Sequence, residues 1–298
     1  KYTDIPKLFA PDYGLNLQRL KMPINPYEDF KCDVPNLSTS LYFVVNDQFY
    51  NGQLPKAQLN DGIVVDSFSN AIKTHGEIIT NHYAKLADTA KDALTAFNTM
   101  LAQDGLFVYV PKGVKSDRTI QVINILRSDV DLMLNRRILI VLEEGAELSM
   151  LFCDDSADDR KFLATQVIEA YVGDNAKLEL NCLEETHLKN VRVSNVYIDQ
   201  QSNSRVSHNI ITLHNGVTRN KLDLTFSGEG SECFLNGCVV ADKHQHVDNN
   251  TVINHAVGNC TSNQLYKYVL DDHAVGAFAG LIYVAKDAQK TLSHEVNQ

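Results

Sequence analysis

From Leu106 onward the chain alternates between apolar and polar residues with a period of two, the spacing that puts side chains on opposite faces of a strand. Thr119–Leu126, Ile138–Leu142, Glu147–Phe152, Thr165–Val172, Lys177–Leu183, Val191–Ile198, Val206–Leu213, Lys221–Phe226, Glu232–Val240, Gln264–Leu270 and Ala277–Val284 all read as strands. They are rich in Val, Ile, Leu, Tyr and Thr, which suit a pleated, half-buried surface. No helical pattern separates them, and a parallel sheet with helical crossovers needs one, so that class is excluded. An antiparallel sandwich or barrel and a coiling β-helix remain.

A weak repeat favours the β-helix. Gly145-Ala-Glu-Leu148, Asn175-Ala-Lys-Leu178, Asn203-Ser-Arg-Val206 and Gly230-Ser-Glu-Cys233 each place Gly or Asn first, then a small residue, a charge, and an apolar residue that opens a strand. Successive copies lie 30, 28 and 27 residues apart. Gly and Asn tolerate the left-handed backbone of a sharp corner, and a corner at a near-constant interval is what a solenoid shows. Phe234–Val240 and Ala277–Tyr283 echo each other in the same way. Ordinary hairpin turns in a sandwich are the competing account of these corners.

Before residue 106 the pattern differs. Pro6, Pro11, Pro23, Pro26, Pro35 and Pro55 interrupt the first 60 residues, which argues against long helices there. Short strands are predicted at Leu41–Val45 and Ile63–Val65. Tyr83, Leu86, Ala90, Leu94, Phe97 and Leu101 recur at steps of three or four, so the spacing predicts an amphipathic helix over 82–103. Asp104-Gly105 should end it, with Gly as a left-handed cap. The predicted organisation is an irregular and helical N-terminal region, 1–105, followed by a mainly β core, 106–298.

The formal charge of −10 argues against a nucleic-acid partner, which needs a basic stripe. The densest charge, Asp154-Asp-Ser-Ala-Asp-Asp159, is acidic and reads as a solvated loop, because the Gly and distal Glu of a calcium loop are missing. Six cysteines, Cys32, Cys153, Cys182, Cys233, Cys238 and Cys260, form no C-x-x-C pair. Scattered in a long chain without a signal peptide, they read as reduced thiols of a cytoplasmic protein, and Cys153, Cys182, Cys233 and Cys238 read as small core residues rather than ligands. Asn249-Asn-Thr251 and Asn259-Cys-Thr261 match a glycosylation pattern that carries little weight without a secretion signal. No apolar run approaches a membrane span. The start at Lys1 and the stop at Gln298 suggest trimmed ends.

Nucleotide, nucleophile-elbow and zinc-protease motifs are missing. His244, His246, Asp248, His255 and Cys260 form the best metal candidate by residue type. On a strand His244, His246 and Asp248 would share one face; a polar ladder is the simpler alternative. Gln264, Tyr266 and Tyr268 should share a face, with Lys267 on the other.

These residues carry a family resemblance. His246-x-Asp248-Asn249-x-Thr251, His255, Cys260-x-Ser262-x-Gln264-x-Tyr266-Lys267, Gly276-x-Phe-x-Gly-x-Ile282 and Ala288-Gln289-Lys290-Thr291 resemble the core domain shared by the SufB and SufD iron–sulfur cluster assembly proteins. Ala96-Phe-Asn98, Asp104-Gly-Leu106 and Tyr109-Val-Pro-Lys-Gly-Val114 are similar to that family's approach to the core, and Lys1-Tyr-Thr-Asp4 looks closer to the SufD branch. The resemblance implies a right-handed parallel β-helix and a non-enzymatic scaffold in a complex with SufB and the ATPase SufC. No permanent cofactor is expected: a cluster would pass transiently through the complex, and ATP would bind only SufC. His246, His255 and Cys260 are the candidates for transient metal contact. Asp248, Asn249, Gln264, Tyr266, Lys267, Gln289 and Lys290 are the motif and interface candidates. Family members continue into SufC-docking helices and an interface histidine that would lie beyond Gln298; His294 is not that histidine, and SufC binding by this stretch is expected to be weak. Pairing through strand edges would also allow a homodimer. The rival readings are a SufB-like subunit that itself holds a nascent cluster, and a β-helical polysaccharide-active enzyme using Asp223, Glu229 and Glu232.

Overall fold

The computed structural model describes residues 3–15, 25–26, 39–50, 59 and 62–298; Cys32 lies outside them. The strands are β1 (Gly14–Leu15), β2 (Ser40–Val45), β3 (Gln48–Phe49), β4 (Val64–Ser67), β5 (Leu106–Val110), β6 (Ile120–Leu126), β7 (Leu132–Leu142), β8 (Glu147–Ser156), β9 (Phe162–Val172), β10 (Lys177–Glu185), β11 (Val191–Gln200), β12 (Arg205–His214), β13 (Val217–Phe226), β14 (Glu232–Ala241), β15 (His246–His255), β16 (Thr261–Leu270), β17 (Val275–Val284) and β18 (Leu292–Asn297). The helices are α1 (Ile5–Phe9), α2 (Phe68–His82) and α3 (Ala93–Leu101).

From β5 onward each strand bonds to the strand two places along the chain. Odd strands build one sheet, β17-β15-β13-β11-β9-β7-β5-β4, and even strands the other, β18-β16-β14-β12-β10-β8-β6-β2-β3. The pairs are parallel except β2 with β3 and β4 with β5. The chain therefore steps from one sheet to the other and rises one rung per pair of strands, a parallel β-helix of about seven turns. The alternation seen in the sequence sorts side chains into an interior, a column such as Leu148, Leu178, Val206, Cys233, Ser262 and Ser293, and two outer faces.

The corners are where the repeat placed them. Gly145, Asn175, Asn203 and Gly230 all have φ between 57° and 76°. Asn259 and Lys290 continue the series at φ 57° and 58°, outside the four copies the sequence repeat picked out. Corners stack by backbone hydrogen bonds: Gly145 N donates to Asp174 O, Asn175 N to Ser202 O, Asn203 N to Glu229 O and Asn259 N to Gln289 O. Close stacking restricts side chains elsewhere. A Cβ on Gly216 would sit 2.1 Å from Leu188 O on the rung below.

The N-terminal region covers the outer face of the odd-strand sheet. Leu8, Phe9 and Tyr13 pack on Leu163, Val191 and Val193. Three corrections apply. The predicted helix over 82–103 is only α3, because the stretch between His82 and Ala93 is turned to put the backbone N–H groups of Ala84, Leu86 and Ala87 on the Glu169 carboxylate at 2.8–3.0 Å. The preceding helix, α2, falls where no helix was predicted; Ser67 caps it through Asn70 N, and Ala71 and Ile79 are its buried face. Gly105 is not a left-handed cap either. It is there for space, since a Cβ would lie 2.1 Å from Arg137 O and 2.6 Å from the Phe68 ring.

Glu169 also pairs with Arg137, both side chains fully buried. Asn98 donates to Arg136 O at 3.0 Å and Thr165 Oγ1 at 2.9 Å. Thr95 Oγ1 and Tyr197 Oη lie 2.7 Å apart, and Asn195 donates to Asp92 at 3.0 Å. Four successive strands, β7, β9, β11 and β13, are thus tied to one lid, the last through Lys221 and Asp92 at 3.3 Å.

Replacing Gly216 by Ala should cost about 1–3 kcal/mol, the usual penalty of overpacking, because the obstruction is backbone and has nowhere to move. Urea unfolding of the variant beside the parent chain measures it; an unchanged midpoint would contradict the close stacking.

Candidate functional site

The strands that carry the motif are the last two rungs, β15 to β18. On β15 even-numbered residues face outward and odd-numbered residues inward, so the strand divides the candidates. His246 and Asp248 do share the outer face. His246 Nε2 lies 3.1 Å from Thr3 Oγ1, and Asp248 accepts from Thr3 Oγ1 at 2.7 Å and from Arg219 at 2.6 Å. Both therefore anchor the N-terminal segment on the sheet. His244 precedes the strand and lies against His273, ring centroids 5.1 Å apart, so it does not join them.

Asn249 points inward, accepting from Asn220 at 3.0 Å and donating to Tyr268 Oη at 2.8 Å. His255 is fully buried at the far end of the strand, its Nε2 3.0 Å from Ser262 Oγ and its ring 4.6 Å from Phe226. A ten-residue strand rises about 3.3 Å per residue, so His246 and His255 are held well apart and on opposite faces. Cys260 sits in the corner before β16, its thiol directed at Gly258 O at 3.3 Å and Gly228 O at 3.5 Å. Burial pushes that thiol above its ordinary value and His255 below its own. A protonated thiol is a poor beginning for a metal site, and on His255 the Nε2 already has Ser262. Among the described residues no three His, Cys, Asp or Glu side chains gather as metal ligands.

On β16 the expected faces are found: Gln264, Tyr266 and Tyr268 point inward and Lys267 is exposed. Gln264 accepts from Thr251 at 2.6 Å and donates to Glu295 at 3.0 Å. Tyr266 is buried against Phe278 at 4.7 Å, over Gly237, where any Cβ would meet its ring at 2.2 Å. Ala288-Gln289-Lys290-Thr291 is the last corner. Ala288 is buried, Gln289 accepts Asn259 N and donates its amide to Lys286 O, and exposed Lys290 takes the left-handed conformation. Much of the motif is thus the packing and turning of the final rungs.

Sequence reasoning missed the charged interior. Arg192 donates to Asp154 at 2.6 Å, to Asn220 at 2.6 Å and meets Glu184 at 2.7 Å, and Arg136 meets Asp154 at 3.0 Å. Asp154, expected in a solvated loop, is instead buried at the end of β8. Burial would raise its carboxyl, but Arg192 and Arg136 outweigh that and hold it below the ordinary value. Thr212 and Asn220 both donate to Glu184, and Asn220 continues to Asn249. Burial, helped by the charge of Arg192, lowers His208 to about 4. The signal available was a charged residue at an inward parity, as Arg192 is within Val191-Arg-Val-Ser194. Cys238, read as core, is exposed; Cys153, Cys182 and Cys233 are buried. Asp223 and Glu232 fall on opposite sheets, paired with Lys221 and Arg205, so they share no catalytic groove.

Residues 1–122 match the family described as SufBD protein N-terminal region, and residues 124–298 match the SUF system FeS cluster assembly, SufBD core domain. The chain belongs to the SufBD family. Among curated proteins it is 23% identical, over its whole length, to the iron-sulfur cluster assembly SufBD family protein slr0076 of Synechocystis, covering 67% of that relative. It is 23% identical over 78% of its length to the iron-sulfur cluster assembly protein SufB of Bacillus subtilis, and 21% over 76% to the chloroplastic SufBD family protein ABCI8 of Arabidopsis thaliana. It spans 50% and 42% of those two. No helix among the described residues is long and apolar enough to cross a membrane.

Arg192→Leu strips Glu184 and Asp154 of a buried cation and should destabilise the fold by about 3–5 kcal/mol, read by denaturant unfolding. A second outcome concerns pH. Between the ordinary histidine value near 6.5 and the folded value of about 4 for His208, the unfolded chain binds a proton that the folded chain does not. Stability therefore falls as pH drops through that window, by about 3 kcal/mol. Asp154, with its depressed folded value, adds a further loss below the ordinary carboxylate range. His208→Gln should flatten the melting temperature between pH 6.5 and 4 and leave the lower limb in place.

Proposed function

We propose that this SufBD-family chain is a SufD-like, non-catalytic scaffold subunit of a cytoplasmic SUF assembly complex, joined to a SufB-like subunit, with ATP handled by a SufC-like partner. The observation that carries this reading is the match of residues 1–122 and 124–298 to the SufBD N-terminal region and core domain. Among the described residues β17 and β18 each pair on one side only, and Val275, Leu281 and Tyr283 on the outer face of β17 are exposed. Unpaired strand edges with apolar flanks recruit another strand, and a second rung of similar width would satisfy them. The same edge accommodates a second copy of the chain when no other partner is present. The Cys260 thiol is turned onto two backbone carbonyls and His255 Nε2 onto Ser262, which supports a scaffold in place of a resident cluster.

Similarity to a SufB favours one alternative, a subunit that holds the nascent cluster itself. Anaerobic reconstitution separates the two: a stable visible iron–sulfur chromophore on this chain alone supports the cluster-holding subunit, and a colourless protein supports the scaffold.

Val275→Lys with Leu281→Lys should leave the melting temperature within a degree or two, since exposed substitutions cost little. It should weaken association of the full-length protein with its SufB and SufC counterparts at least tenfold in a co-purification titration. Undiminished association would remove the final rung as the docking edge.

A further inference from the structure

Deep between the sheets, in the rungs formed by β9 to β16, lies a cavity lined by Gln166, Cys182, Ser194, His208, Thr251 and Tyr266. The space open to the centre of a water-sized sphere is about 10 Å³, about what one ordered water needs when polar groups surround it. His208 on β12 is fully buried, and neither of its ring nitrogens has a partner in the protein. Its uncharged ring presents one N–H donor and one acceptor nitrogen. Gln166, on β9 of the opposite sheet, contributes a second orphan: its amide nitrogen donates to Ser194 Oγ at 3.2 Å, while its buried Oε1 accepts from nothing in the protein. Most buried polar atoms are paired, and those left over call for a specific explanation.

An ion does not fit this setting. The charges bordering the cavity, Arg192 and Glu184, already meet each other at 2.7 Å, and Asp154 shares Arg192 at 2.6 Å. Apart from Glu184 Oε1, which has Arg192 beside it at 2.7 Å, the unmatched groups are the two His208 ring nitrogens and the Gln166 amide oxygen. The ring nitrogens point away from each other, so one small neutral molecule that both donates and accepts meets one of them together with the amide oxygen. We propose that this cavity is a binding site for a single water-sized neutral ligand, occupied by water, held by His208 and Gln166 inside the β-helix. The molecule accepts from the His208 N–H and donates to Gln166 Oε1. His255 needs no such occupant at its Nε2, which has Ser262.

A crystal structure of the chain that resolves ordered waters, with water ¹⁷O relaxation dispersion in solution, tests the site. The expected result is one density peak within hydrogen-bonding distance of a His208 ring nitrogen and of Gln166 Oε1. One long-lived internal water should disappear in His208→Phe, whose ring fills the cavity, and exchange at least tenfold faster in Gln166→Leu. Density for an ion, a His208 ring turned onto a protein partner with no peak in the cavity, or equal numbers of long-lived waters in parent and variants would overturn the proposal. Should either variant fail to fold, the density in the parent chain still decides.

Discussion

In the β-helix a strand does not complete its hydrogen bonding within its own rung. From β7 to β16 its sheet neighbours lie one full turn earlier and one full turn later, and that requirement governs the rest. Each turn must be nearly the same length, or register would slip and carry inward side chains to the outside. The left-handed corners at Gly145, Asn175, Asn203, Gly230, Asn259 and Lys290 keep the turns equal. Their backbone bonds to the next corner make the edge of the β-helix a ladder of its own.

Register explains the charged interior. Once β7 to β13 are aligned, Arg136 and Arg192 must point between the sheets with Asp154 and Glu184, and each ion finds its counter-ion inside because water is excluded. Such a network contributes little net stability against an apolar core, but removing one member leaves an uncompensated charge. It therefore specifies alignment more than it adds strength. The N-terminal lid works in the same way on the outside. Glu169 receives three backbone N–H groups and Arg137, so it simultaneously caps a turn, neutralises a buried cation and seats the lid on β9.

Among the described residues the same ladder leaves β17 and β18 paired on one side, and the SufBD motif surrounds them. Gln264, Tyr266, Asn249 and the Ala288-Gln289-Lys290-Thr291 corner pack and turn the final rungs. His246 and Asp248 reach the other way and hold Thr3. Residues whose types suggested one metal site are distributed by strand parity to two faces and by strand length to two ends.

Local rules alone, period two and the tolerance of Gly and Asn for positive φ, marked an all-β core, favoured the β-helix over a sandwich, and placed four of its corners and the parity of its strands. Gln264, Tyr266 and Lys267 fell on the faces that parity assigned them. Only the tertiary structure decided where helices end, because a turn at 84–87 is held by Glu169, some 80 residues away, against the local helical pattern. It alone decided that Asp154 is a buried counter-ion, that Gly105 is there for close approach, and that His246, His255 and Cys260 do not meet. Those outcomes depend on which rung lies above which, a long-range relation that no window of neighbouring residues contains.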